Sequence, residues 1–290
     1  AMVQAGQLLL RNWPEASYPS AVERARSHLE RAAERGHLRA QLELGILLSE
    51  MTEPESEAGS ASQWLQTAAA RGSAAAQSRL GYLYLRGHGV PKDTELARQW
   101  FGEAARQGDV SAQTHLGWMF DQGIGGPADP ERAFTWYRRA AQRDYPTAQF
   151  NLALLYQSGR GVRADDHQAR RWFERAAATG SESARGALAW LLATAGDPTV
   201  RDPERAIELA RQAVAEVPSA TWLDTLAAAL ATSGRFDDAV VVQQQALAVL
   251  EEEAPAGGSS PTTDRRSAFL GRLARYQARQ PWLDDTVGKP

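Results

Sequence analysis

Cysteine is missing altogether, and lysine occurs only as Lys92 and Lys289. Without cysteine there can be no disulfide, no thiolate nucleophile and no cysteine-based zinc site, and the lack fits an oxidising and a reducing compartment equally. With so few lysines, Schiff-base chemistry or a phosphate-cradling amine would have to use one of those two; every other basic residue is arginine. No stretch approaches the roughly 18 apolar residues of a membrane span, and Leu8 to Leu10 is too short for the apolar part of a secretion signal. The start, Ala1-Met2-Val3, reads as an expression boundary, which leaves room for a signal or anchor upstream. Charge of one sign is scarce too: a formal net charge of −3 gives no broad attraction for nucleic acid or acidic lipid.

Signatures of catalysis are equally thin. There is no G-x-S-x-G elbow and no S-x-x-K arrangement. His28, His37, His88, His115 and His167 are scattered, with no i, i+4 pair and no glutamate-bearing metal motif. The stretch Gly87-His88-Gly89-Val90-Pro91-Lys92 has the look of a phosphate loop but lacks a preceding strand and the Gly-Lys-Ser/Thr ending. We therefore expect no enzyme activity, no metal and no cofactor.

What the chain has is a period of 36 residues. Leu-Gly or Leu-Ala recurs at Leu44-Gly45, Leu80-Gly81, Leu116-Gly117, Leu152-Ala153 and Leu188-Ala189. Such a period means stacked helical pairs, each burying its apolar face only against its neighbours. Ala-Gln precedes the first four of these pairs, and a glycine-rich turn follows three of them, at Gly87, Gly123 and Gly159. An aspartate column, Asp93, Asp129 and Asp165, is suited to cap the second helix of each pair; Asp129-Pro130-Glu131 adds a proline in the first turn and an acid near the positive helix end. The second helices carry Trp64, Trp100, Trp136 and Trp172, followed by alanine pairs that end in Ala69, Ala105, Ala141 and Ala177. We expect tryptophan from one unit to fill the space over these alanines. Asp144 stands where Gly72, Gly108 and Gly180 end the other second helices.

The copy from Ala76 to Gly108 resembles the Sel1-like pattern AxxxLGxxYxxGxGVxxDxxxAxxWxxxAAxxG nearly position for position. The resemblance runs over residues 36 to 195, and the first copy departs at Thr52-Glu53-Pro54, where the glycine turn should be. From Asp202 the period changes: Leu223, Leu226-Ala227, Leu230, Gly234, Ala239 and Ala246 resemble a tetratricopeptide repeat. The expected architecture is an all-α, right-handed superhelical solenoid of helix-turn-helix repeats, about 15 helices in all. Its parts are capping helices over 1–37 (with an irregular one in 5–16), a Sel1-like array over 38–198, a tetratricopeptide-like repeat over 199–253, and a linker with a capping helix over 254–290. That last helix is expected over Ser267 to Ala278, with Phe269, Leu270, Leu273 and Tyr276 inward.

In such arrays the first helix of each pair lines the concave face. Tyr82, Trp118, Leu154 and Trp190 follow the Gly/Ala column, and the packing pattern does not require their identity; Arg86, Asp121, Gln122 and Gln157 lie about a turn further on. Aromatics bordered by charge have the composition of a protein-binding hot spot. The resemblance implies a bacterial, non-enzymatic scaffold or adaptor that binds a partner protein or peptide in this groove, with envelope assembly or signalling as its setting. The periplasm is the expected compartment and the cytoplasm the alternative; no nucleic acid, membrane insertion or particular oligomer is implied. Two rival readings are a cell-wall enzyme or β-lactam/peptidoglycan binder, although the family members linked to β-lactams are cysteine-rich, and a homotypic assembly element.

Overall fold

The computed structural model describes residues 18–50, 55–253 and 260–284, so the irregular helix expected within 5–16 lies outside the described residues. Fourteen helices are present among them. They fall into two compact units, one ending at Arg143 and the other beginning at Asp144.

The first unit holds α1 (Tyr18–Glu34), α2 (Leu38–Glu50), α3 (Glu55–Ala70), α4 (Ala74–Arg86), α5 (Thr94–Arg106), α6 (Val110–Gln122) and α7 (Pro130–Ala141). The second holds α8 (Pro146–Ser158), α9 (Asp166–Ala177), α10 (Glu182–Thr194), α11 (Pro203–Glu216), α12 (Ala220–Thr232), α13 (Phe236–Glu252) and α14 (Ser260–Gln277). Within each unit, successive helices pack on one another as antiparallel pairs. First helices also touch the next first helix, α2 to α4, α4 to α6 and α10 to α12, whereas no comparable contact joins consecutive second helices among the described residues. First helices therefore line the tighter, inner side of each unit.

The local signals act as their chemistry dictates. Asp93, Asp129 and Asp165 cap α5, α7 and α9 by accepting from the backbone N–H groups of Leu96, Arg132 and Gln168 at 2.9, 3.0 and 3.0 Å. Gly123 closes α6 with φ of 68°, a left-handed conformation that would strain a side-chain-bearing residue, and its N–H returns to Met119 O. The Ala-Gln column has a task its spacing does not reveal. Gln41, Gln77 and Gln113 donate from Nε2 to the carbonyls of Ala33, Ala69 and Ala105 at 3.1, 3.2 and 3.1 Å, so each glutamine adds a second donor to a helix-end carbonyl that already accepts from the backbone N–H of Gly36, Gly72 or Gly108.

The tryptophan column is not the one that fills the core. Leu65, Phe101, Tyr137 and Phe173, one residue on, are the fully buried members, while the four tryptophans are half-buried. The reason is the close approach of the paired first helix. A Cβ built on Gly45, Gly81 or Gly117 would lie 2.6, 2.9 or 2.8 Å from the Leu65, Phe101 or Tyr137 side chain. The glycine is the socket and the residue after tryptophan is the peg, while Trp64 and Trp100 pack from the flank on the clusters that hold Ala32-Ala33 and Ala68-Ala69, as expected.

In the second unit α14 begins at Ser260, seven positions ahead of the expected start. It turns Phe269, Arg272 and Tyr276 inward, whereas Leu270 is exposed and Leu273 half-buried. The expectation of leucines facing inward is overturned by a buried ion pair: Arg272 Nε lies 2.8 Å from Asp224 Oδ1, and Gln243 Nε2 donates to the same oxygen at 2.7 Å. With Asp224 inside α12, the matching inward position on α14 takes an arginine.

Candidate partner-binding face

Within the first unit, Tyr82 and Trp118 occupy equivalent positions on α4 and α6, and each is 38% exposed. Arg79 and Arg86 place their guanidinium carbons 5.9 and 5.7 Å from the centroid of the Tyr82 ring. That is the range of a weak cation–π contact, so the exposed ring is held between two cations. At the end of α6, Gln122 Nε2 donates to Asp121 Oδ2 at 2.9 Å. This face offers an apolar ring, cations and a carboxylate on one stretch of first helices.

Leu154 on α8 repeats the exposure of Tyr82 and Trp118, again at 38%. Trp190 on α10 differs: it is half-buried, packs on the core of the second unit, and has the Arg272 guanidinium 5.3 Å from its ring. Gln157 and Trp190 nevertheless share a pocket of about 360 Å³, with Gly186, Ala187, Thr221, Trp222, Asp224, Thr225 and Arg272 completing its walls. Sequence reasoning missed Trp222, Asp224 and Arg272. Trp222 sits one residue before a packing leucine, and the other two become a pair only when helices far apart in sequence meet. Burial holds the Asp224 carboxyl above its ordinary range, and Arg272 is the main opposing influence. Arg272 also lies 5.0 Å from the Phe269 ring and 5.7 Å from that of Trp282, so its charge is enclosed by aromatic faces and a carboxylate.

One further feature of the second unit stands apart from the packing. Asp166, the first residue of α9, is 5% exposed, and neither carboxylate oxygen has a hydrogen-bond partner. Burial, then the charges of Asp284, Asp197 and Asp165, pushes this carboxyl up to about 6, against a smaller lowering by His167. The corresponding residues of the preceding copies are Thr94 and Pro130. Among the described residues, no group of three His, Cys, Asp or Glu side chains is placed to hold a metal ion.

The Sel1 repeat profile matches residues 19–37, 74–109, 110–145, 146–181 and 187–216, together more than half of the chain. This chain is a member of the Sel1 repeat family. No curated protein is matched. Among the solved structures similar to this Sel1 repeat protein are two Sel1-type chains. A protective antigen present in uropathogenic Escherichia coli strains, displaying an SLR fold, superposes with a TM-score of 0.66 at 21% identity, over 94% of this chain and 68% of that one. A Sel1 repeat protein from Oxalobacter formigenes superposes with a TM-score of 0.63 at 29% identity, over 73% of this chain and 84% of that one. The all-α solenoid class follows from these matches, and a tetratricopeptide-like fold is consistent with them. Sel1 repeat proteins generally mediate protein–protein interactions, and the fold is typical of non-enzymatic interaction scaffolds. No helix among the described residues is long and apolar enough to cross a membrane.

Proposed function

We propose that this Sel1 repeat protein is a non-enzymatic adaptor that holds a partner protein or peptide against its row of first helices, in bacterial envelope assembly or signalling. The observation that carries the reading is the equal exposure of Tyr82, Trp118 and Leu154, each at 38%, at one repeat position of the first helices. Aromatic and charged groups together on an exposed face make a natural centre for a binding hot spot. In the first unit Tyr82, Arg86, Trp118, Asp121 and Gln122 form the contact set; in the second, Leu154, Gln157 and Trp190 do. The test is affinity capture from extract of the native host, with the parent protein beside a Tyr82→Ala/Trp118→Ala variant. A protein held by the parent and lost by the folded variant supports the reading; equal retention by both removes it.

A further inference from the structure

A cleft in the first unit lies on the second helices, away from Tyr82 and Trp118. It encloses about 660 Å³ between α5 and α7 and is floored by Leu116 and Phe120 of α6. Four of its eleven lining residues are arginines, Arg98, Arg106, Arg132 and Arg139, against one carboxylate, Glu103. Glu103 is already engaged by Arg106 at 2.5 Å, and Arg132 has Asp129 at 3.2 Å. Among the described residues no carboxylate lies within ion-pair distance of Arg98 or Arg139, although Arg98 donates to Pro127 O at 3.4 Å and Asp129 is near enough to act on its charge.

The cations are crowded in a way packing alone does not explain. The guanidinium carbons of Arg98 and Arg132 lie 3.8 and 5.3 Å from the centroid of the single Phe120 ring. Desolvation and then the neighbouring charge of Arg132 disfavour the charged form of Arg98, against a smaller opposing influence of Asp129. Gly126 leaves room for this arrangement, since a Cβ there would lie 2.5 Å from Arg98 Nη1. Arg139 lies 4.7 Å from the Trp136 ring centroid. The repeat does not call for these residues: the Arg98 position is Ser62 and Phe134 in the adjoining copies, and the Arg132 position is Leu96 and Gln168. Like charges gathered on an apolar floor lower their free energy when a carboxylate enters between them, and guanidinium groups pair with carboxylates through two parallel hydrogen bonds.

We infer that the cleft between α5 and α7 is a second docking site, which takes an acidic segment of a partner protein. Carboxylates of the segment pair with Arg98, Arg132 and Arg139, and an apolar side chain beside them rests on the half-buried Trp136. This site is distinct from the first-helix face and stands or falls separately from it.

The test is fluorescence anisotropy of the full chain with a labelled decapeptide of alternating Glu and Leu, beside its Gln-for-Glu counterpart, a ten-nucleotide RNA and inorganic polyphosphate. The Glu peptide is expected to bind, the Gln peptide to fail, and rising salt to weaken the complex. Arg98→Gln/Arg132→Gln should weaken binding by roughly tenfold or more, as loss of charge-assisted pairs does. A Cβ on Gly102 meets nothing within 4 Å, so Gly102→Phe fills the cleft while leaving the helix intact; it should abolish binding in a chain that melts as the parent does. Tyr82→Ala/Trp118→Ala should bind the peptide unchanged. No binding by the Glu peptide, equal binding by the Gly102→Phe variant, or tighter binding of RNA or polyphosphate would overturn the inference.

Discussion

The two units solve the same packing problem by different means. In the first, helices interlock by shape: Gly45, Gly81 and Gly117 open sockets for Leu65, Phe101 and Tyr137, with no polar group needed at the contact. The second begins that way, with Phe173 over Ala153, and ends on chemistry, where Asp224, Arg272 and Gln243 meet in the interior. Shape repeats cheaply because each copy presents the same surface. The buried pair gives α14 a specific place to dock.

That contrast can be broken most severely at the polar end. Arg272→Met should destabilise the protein by about 3–5 kcal/mol, because it strands Asp224 in the interior, and chemical denaturation will measure it. Adding Asp224→Leu should restore most of the loss, since a matched apolar pair is often as stable as the ion pair it replaces. A double variant as unstable as the single one would mean that the pair acts through more than its charges.

At the shape-based end, Gly117→Ala forces a methyl to within 2.8 Å of the Tyr137 ring. Overpacking of this kind costs about 1–3 kcal/mol, so its midpoint should fall by less than that of Arg272→Met. A third probe is Asp166, which belongs to neither scheme. Its folded pKa of about 6 stands above the ordinary 3.8, so the folded state binds the proton more tightly than the unfolded one. The contribution is fully present below about pH 4 and is lost as pH rises through 6. Asp166→Asn removes this dependence; it should stabilise the protein by about 1 kcal/mol at pH 7.5 and by less at pH 4. Urea midpoints of parent and variant at the two pH values decide the matter, and a gap that does not widen with pH would contradict it. Smallest of all, Tyr82→Ala and Trp118→Ala should each shift stability by no more than about 0.5 kcal/mol, as exposed positions do, so that any binding defect they show belongs to the surface.

How much of this could be read from the residues depended on how local the cause was. The aspartate caps and the Gly123 turn were legible because the residue that causes each sits within a few positions of its effect. The period itself gave the solenoid. Which of Trp100 and Phe101 enters the core was not legible, since adjacent residues on a helix flank the same face and the choice is made by Gly81 across the pair. Arg272 was not foreseen among the inward residues because its partner Asp224 lies 48 positions away. Of the candidate face, Tyr82, Trp118 and Leu154 carry the exposure their column suggests, while the cover over Trp190 comes from a helix whose inward side depends on that same distant partner.

The glutamine column also bears on how the chain is made. Gln41, Gln77 and Gln113 each reach back eight residues to finish the helix before them. Synthesis releases the N-terminus first, at about 5–20 residues per second, so a helix end first closed by Gly36, Gly72 or Gly108 gains its second donor within about two seconds, from the residues that follow. Each copy serves as the temporary end of the growing array and is relieved of that duty by the next.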